Sequence, residues 1–144
     1  MKIRTALTQD AETIAAIDAS QIFGAHWSAA QIQSELAQSA GHILVCAEQD
    51  VIAGFIAFRC VAGVGEILNL AVRPDKLRRG AGTLLVRGAL EFMRRQGPVQ
   101  LSLEVNERNL PARALYEKTG FKVLARRKKF YNNADDALIM GINL

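Results

Sequence analysis

Leu70-Ala71-Val72-Arg73-Pro74-Asp75-Lys76-Leu77-Arg78-Arg79-Gly80-Ala81-Gly82-Thr83-Leu84-Leu85 reads as a strand, a basic glycine loop and the start of a helix. Residues 67–72 form a mostly apolar run ended by Pro74, the pattern of a buried strand. From Thr83 onward Leu84, Leu85, Ala89, Leu90 and Phe92 recur at roughly helical spacing, with Arg87, Glu91, Arg94 and Arg95 largely on the opposite face. The two glycines therefore stand at a helix N-terminus. There the first-turn amides lack intrahelical partners, the helix dipole favours an anion, and glycine lets backbone approach phosphate oxygens closely. Arg78 and Arg79 add fixed positive charge.

The same glycines also fit a plain tight turn. Two other phosphate loops are excluded. A P-loop needs Gly-x4-Gly-Lys-Ser/Thr, and neither the spacing nor the lysine is present. A dinucleotide fingerprint needs a third glycine where this chain has Leu85.

A second block, Asn109-Leu110-Pro111-Ala112-Arg113-Ala114-Leu115-Tyr116-Glu117-Lys118-Thr119-Gly120-Phe121, reads as a capped helix. Asn109 suits the N-cap, Pro111 the first turn and Gly120 a left-handed stop. Together the two blocks resemble the signatures of the GNAT acetyltransferase superfamily. The loop matches Gln/Arg-x-x-Gly-x-Gly/Ala except that Leu77 holds the leading position, and the second block fills each fixed position of Asn-x-x-Ala-x-x-Leu-Tyr-x-x-x-Gly-Phe. The resemblance implies an acetyl-CoA site made of Leu70, Ala71 and Val72 on the strand, of Arg78, Arg79, Gly80, Ala81, Gly82 and Thr83 around the loop, and of Asn109, with no metal.

Along the whole chain the order is βαα followed by alternating strands and helices. Strands are expected at 2–6, 43–48, 52–61, 66–72, 99–104, 122–127 and 137–142. Helices are expected at 10–20, at 28–37 behind the capping box Ser28-x-x-Gln31, from the glycine loop to 96, and from 110. Residues 43–48 and 52–61 form a hairpin turned near Gln49-Asp50. The expected fold is a mixed α/β, GNAT-like one: a central sheet of about six to seven strands with helices on both faces.

At 144 residues and 50% hydrophobic content the chain is expected to make one domain, 1–144, with a real core. It has no apolar run of membrane-spanning length and no basic-then-apolar leader, so it is expected to be soluble, unprocessed and cytoplasmic. Cys46 and Cys60 lie in apolar runs without metal-ligand spacing to His26 or His42, as buried reduced thiols do. Residues 1–65 are net acidic and the remainder net basic, within an overall charge of +4. The basic part, with Arg126-Arg127-Lys128-Lys129, would attract a polyanionic cofactor. A nucleic-acid surface is the rival reading, but no cluster of stacking aromatics accompanies these charges.

Acetyl transfer needs a proton acceptor for the amine and a donor for the departing thiolate. Glu104 ends an alternating strand where two strands could part, and the resemblance implies a general base there, acting through water. It also reads as a solvated strand-end charge. Tyr116 fits the acid: a phenol near pKa ~10 lies slightly above a thiol at ~8.5, so modest tuning would let it pass a proton to sulfur. It also reads as helix packing. Glu66, expected on one face with Leu68 and Leu70, is the rival base; in the histone-lysine branch of the superfamily a Glu at the matching place is similar to the base.

His26-Trp27-Ser28, Glu66 to Val72, Leu103-Glu104-Val105, Arg126 to Tyr131 and Asp135 to Met140 further resemble the ribosomal-protein-alanine N-acetyltransferase branch. That branch usually has Pro-Trp-Ser and Tyr-Tyr-Pro where this chain has His26-Trp27-Ser28 and Phe130-Tyr131-Asn132. The implied activity moves acetyl from acetyl-CoA to the N-terminal alanine of a small-subunit ribosomal protein. An α-amino group, with pKa near ~7.8, needs about 3.5 kcal/mol less deprotonation work than a lysine amine near ~10.4. Trp27, Glu66 and Tyr131 are the peptide-side candidates, and the two aromatics also fit an ordinary cover over the core. A small-amine or antibiotic acetyltransferase and a non-catalytic acyl-CoA or nucleic-acid module remain as alternatives. The first differs only in its acceptor groove; the second leaves the joint presence of Glu104 and Tyr116 unexplained.

Overall fold

A computed structural model describes residues 1–131 and 134–144, so Asn132 of the aromatic motif lies outside the described residues. In chain order the elements are β1 (Lys2–Thr5), α1 (Ala11–Ala19), α2 (Ala29–Ala37), β2 (Gly41–Glu48), β3 (Val51–Val61), β4 (Val64–Val72), α3 (Ala81–Arg94), β5 (Gln100–Asn106), α4 (Leu110–Lys118), β6 (Lys122–Tyr131) and β7 (Asp135–Asn143).

Local chemistry sets many of the boundaries. Ser28 Oγ accepts from Gln31 N–H at 3.1 Å while Gln31 Oε1 accepts from Ser28 N–H at 2.7 Å, which closes the capping box of α2. Asn109 Oδ1 accepts from Ala112 N–H at 3.3 Å at the head of α4, and Gly120 (φ 107°) ends that helix. Two tight turns have consecutive positive φ angles, Gln49-Asp50 (51°, 67°) and Ala62-Gly63 (50°, 80°), the geometry that matches the twist of a two-residue hairpin. The second joins β3 to β4, so β4 starts before the expected position 66. The closing hairpin is also longer than expected, because Tyr131 still pairs with Asp135.

The sheet has seven strands in the order β1-β2-β3-β4-β5-β7-β6. Only β4 and β5 run parallel. Side chains alternate across β3: Ile56 and Phe58 join Leu85, Val86, Ala89 and Met93 of α3, whereas Phe55 and Ala57 join Ile14, Ile17 and Ile32 of α1 and α2. Helices thus cover both faces, and β3, buried on each side, reads as a continuous apolar run. Both cysteines are free, with Cys46 buried and Cys60 partly so. Among the described residues no helix is long and apolar enough to cross a membrane.

The alternation breaks once in β4. Ala57 pairs with Asn69 and Phe58 with Ile67, leaving Leu68 as an extra residue, a β-bulge. Ile67, Leu70 and Val72 consequently pack on the α3 side, while Leu68 and Ala71 pack on the α1–α2 side. The expectation that Glu66, Leu68 and Leu70 share one face therefore fails at Leu70, because the bulge reverses the period.

His42 on β2 packs against Phe58 and Phe92, with ring centroids 5.4 and 4.5 Å away, and this burial lowers its pKa below the usual value. The folded state then resists protonation that the unfolded chain accepts, so stability is lost as the pH falls below about 6.5 and levels off below the folded pKa. Thermal melting between pH 7.5 and 5 is expected to show a steeper acid-side decline in the wild type than in His42→Leu (both values chosen about one unit or more either side of the free imidazole).

Candidate active site

Strands β4 and β5 pair only from Val64–Gln100 to Ile67–Leu103. Both then run on, to Val72 and Asn106, held on their outer sides by β3 and β7 but no longer paired with each other. The separation begins at the Leu68 bulge. Arg73 N–H donates to the Ala53 carbonyl of β3 at 2.7 Å, so by strand alternation the main-chain groups of Val72 and Leu70 point the other way, into the gap. Ala71 faces β3 and its side chain is buried in the α1–α2 core.

At the C-terminal end of β4 the chain enters the glycine loop. Arg78 (φ 63°) and Gly80 (φ 84°) both take left-handed backbone, and nothing lies within 4 Å of the position a Cβ would occupy on Gly80, so it is the φ angle that calls for glycine there. The first bond into α3 is Leu84 N–H to Gly80 C=O at 3.0 Å, which leaves the amides of Ala81, Gly82 and Thr83 at an open helix end. Gly82 is small for a different reason. A Cβ there would come within 2.9 Å of Leu115 Cδ2, on the helix that carries Tyr116. Arg79 is exposed and 4.0 Å from Glu48.

A cavity of about 710 Å³ opens at the separated strands. Its lining draws on both faces of the sheet: Leu70, Val105 and Tyr116 from the α3–α4 side, and Leu68, Asn69 and the 22–26 loop from the other. Glu66, Glu104, Asn109 and Tyr131 also line it. The expected catalytic pair, the rival base and one peptide-side aromatic therefore meet at one opening. Trp27 is placed elsewhere, packed against the α1–α2 core, with its main-chain N–H donating to Asp18 Oδ2 at 2.7 Å. The glycine loop is outside this cavity, at the far end of the gap.

Glu104 Oε1 lies 3.4 Å from Arg127 Nη1, an ion pair that draws the carboxylate toward β6. Tyr116 is buried, its ring packed edge-on to Phe121 at 5.4 Å, and burial pushes its pKa well above the usual phenol value. The tuning runs opposite to that foreseen from sequence, away from the thiol range. Such a phenol stays protonated near neutral pH, with its hydroxyl proton available for donation. Burial, then the charge of Glu104, raises the pKa of Tyr131 as well.

The basic run of β6 is partly occupied by internal partners. Arg126 bonds Glu107 and, at 2.9 Å, Asp136, while Lys129 N–H donates to Asp136 Oδ1 at 2.8 Å. The polar cavity residues not proposed from sequence as site residues include Asn69, Asn106, Arg108 and Asp135; Asn106 Nδ2 donates to Asp135 Oδ2 at 3.1 Å. One signal was available, since Asn69 interrupts the otherwise apolar run 67–72. Among the described residues no group of three or more His, Cys, Asp or Glu is arranged to hold a metal.

The profile of the acetyltransferase (GNAT) family matches residues 8–121. A Bacillus subtilis relative, provisionally named a ribosomal protein bS18-alanine N-acetyltransferase, is 31% identical over 99% of this chain and 95% of its own. A Salmonella typhimurium protein named as the bS18-alanine N-acetyltransferase is 36% identical over 65% of each chain. The crystal structure of the ribosomal-protein-S18-alanine N-acetyltransferase from Escherichia coli superposes with a TM-score of 0.89 at 27% identity, covering 99% of this chain and 92% of that one.

Gly82→Val is expected to weaken acetyl-CoA binding at least about ten-fold by calorimetry, because it crowds the open amides and displaces Leu115. Unchanged affinity would remove the loop from the cofactor site.

Proposed function

The chain belongs to the acetyltransferase (GNAT) family, and we propose that within it this protein moves acetyl from acetyl-CoA to the N-terminal alanine of a small-subunit ribosomal protein. The observation that carries the reading is one cavity, lined from both faces of the sheet, that takes in both Glu104 and Tyr116. Acetyl-CoA lies along the gap, its diphosphate at the amides of Ala81, Gly82 and Thr83 and near Arg78 and Arg79, and its pantetheine arm beside the main chain of Leu70 and Val72. Asn109 caps the neighbouring helix at the cavity edge. The acceptor terminus enters from the opposite face of the sheet, past Glu66 and Tyr131.

The amine nitrogen attacks the thioester carbonyl carbon and the C–S bond breaks, giving an acetylated terminus and coenzyme A. Glu104 takes the amine proton through a bridging water. The Tyr116 hydroxyl donates a hydrogen bond, and then its proton, to the sulfur. Burial that raises the phenol's pKa acts on a thiol in the same way, since both conjugate bases are anions, so enclosure of the site does not by itself widen their mismatch. A carboxylate base suffices for an α-amino group, part of which is already neutral near pH 7. Glu66 lines the cavity without an ion-pair partner among the described residues, which suits a cationic peptide terminus, whereas Glu104 and Asp135 are paired with Arg127 and Arg108.

Purified protein given acetyl-CoA with an alanine-starting ribosomal peptide, the same peptide blocked at its terminus, or a polyamine is expected to acetylate the free-terminus peptide alone. Transfer only to the blocked peptide or the polyamine would contradict this acceptor. Glu104→Gln is expected to lower kcat about 100-fold with little change in acetyl-CoA affinity, and Tyr116→Phe to lower kcat by about ten-fold or more. If Glu104→Gln leaves kcat intact while Glu66→Gln abolishes it, the base is Glu66.

A further inference from the structure

Asp18, in the last turn of α1, is fully buried, and among the described residues it has no cationic hydrogen-bond partner. Its Oδ2 accepts two bonds, from the Trp27 main-chain N–H at 2.7 Å and from Asn69 Nδ2 at 2.8 Å. Its Oδ1 is buried with no hydrogen-bond partner among the described residues. A buried acidic side chain that has exchanged water for two protein donors ties those donors together, because loss of either bond leaves buried polar atoms unsatisfied.

What it joins is informative. Trp27 ends the loop between α1 and α2, whose residues 22–26 form one wall of the cavity; Asn69 follows the bulge residue at which β4 parts from β5 and lines the same cavity. The loop is drawn tight by two more contacts: His26 Nε2 lies 2.6 Å from the Gln21 carbonyl, and Gln21 Nε2 donates to the Val72 carbonyl at 2.9 Å. Gly24 sits directly over the carboxylate, where a Cβ would come within 2.5 Å of Asp18 Oδ1 and 2.9 Å of the Asp18 carbonyl.

We propose that Asp18 is a positioning residue for the acceptor: by binding the 20–28 loop and the bulged segment of β4 to one carboxylate oxygen, it sets the width of the acceptor side of the cavity. This rests on the reading of that side as the acceptor's entrance. The cofactor side is built from the gap-facing backbone of β4 and the amides of α3; among the described residues the loop reaches it only through the Gln21–Val72 bond, which does not involve Asp18.

The test is steady-state kinetics on Asp18→Ala, Asp18→Asn and Gly24→Ala, with KM measured separately for the acceptor and for acetyl-CoA, and thermal melting as a check on folding. It uses whichever amine the wild-type protein acetylates, so failure of the alanine-terminus reading leaves the comparison intact. Asp18→Ala is expected to raise the acceptor KM about ten-fold while the acetyl-CoA KM stays within about two-fold. Asp18→Asn retains an accepting oxygen and is expected to stay within about three-fold of wild type for both. Gly24→Ala, an alteration in a surface loop that pushes the loop off Asp18, is expected to reproduce the acceptor-selective effect, and it decides the matter if Asp18→Ala does not fold. An equal rise in both KM values, or an unchanged acceptor KM in Gly24→Ala, would overturn the proposal.

Discussion

Two neighbouring parallel strands that stop pairing partway along their length are the constraint around which this protein is organised. Beyond Ile67 and Leu103 the inner edges of β4 and β5 expose main-chain groups that a continuous sheet would satisfy. Burying such groups unpaired is expensive, so the separation needs both rigid outer support and something to fill it. The support is present: β3 pairs with β4 as far as Val72, and β7 pairs with β5 as far as Asn106. An extended thiol ester with amide groups along its arm is the kind of filler that can pair with both polar edges.

The remaining elements follow from that opening. The Leu68 bulge starts it and turns Leu70 toward α3, so that one cavity has walls from both sheet faces. At one end the first-turn amides of α3 lie before its first intrahelical bond, and the close approach of Gly82 to Leu115 links that end to the helix carrying Tyr116. At the other end the loop after α1 is held against β4 through Asp18, Asn69 and Gln21. Glu66, Glu104, Tyr116 and Tyr131 are thereby brought to one cavity by elements that each have their own packing on the core.

Features encoded within a few residues were legible in the sequence. The capping box Ser28–Gln31, the Asn109 cap, the Gly120 stop and the glycine loop each depend on a handful of neighbours, and the strand and helix order followed from periodicity. The family signatures pointed to Glu104 and Tyr116, which the folded chain brings to one cavity. Features that depend on distant partners were not legible. The bulge at Leu68 is a mismatch of β4 against β3, so alternation carried Glu66 and Leu70 onto one face. Asp18 carries no local signal, because its partners are nine and fifty-one residues away. The basic run on β6 looked like free charge until the fold supplied Glu104, Glu107 and Asp136 as partners for its arginines. The direction of the Tyr116 shift likewise required the packing around its ring.

The most direct measurement is a crystal structure of the protein with acetyl-CoA bound. The account predicts the diphosphate at the amides of Ala81, Gly82 and Thr83, the pantetheine arm between β4 and β5, and the thioester at the cavity shared by Glu104 and Tyr116. A diphosphate bound away from the head of α3, or an arm lying outside the separated strands, would contradict it.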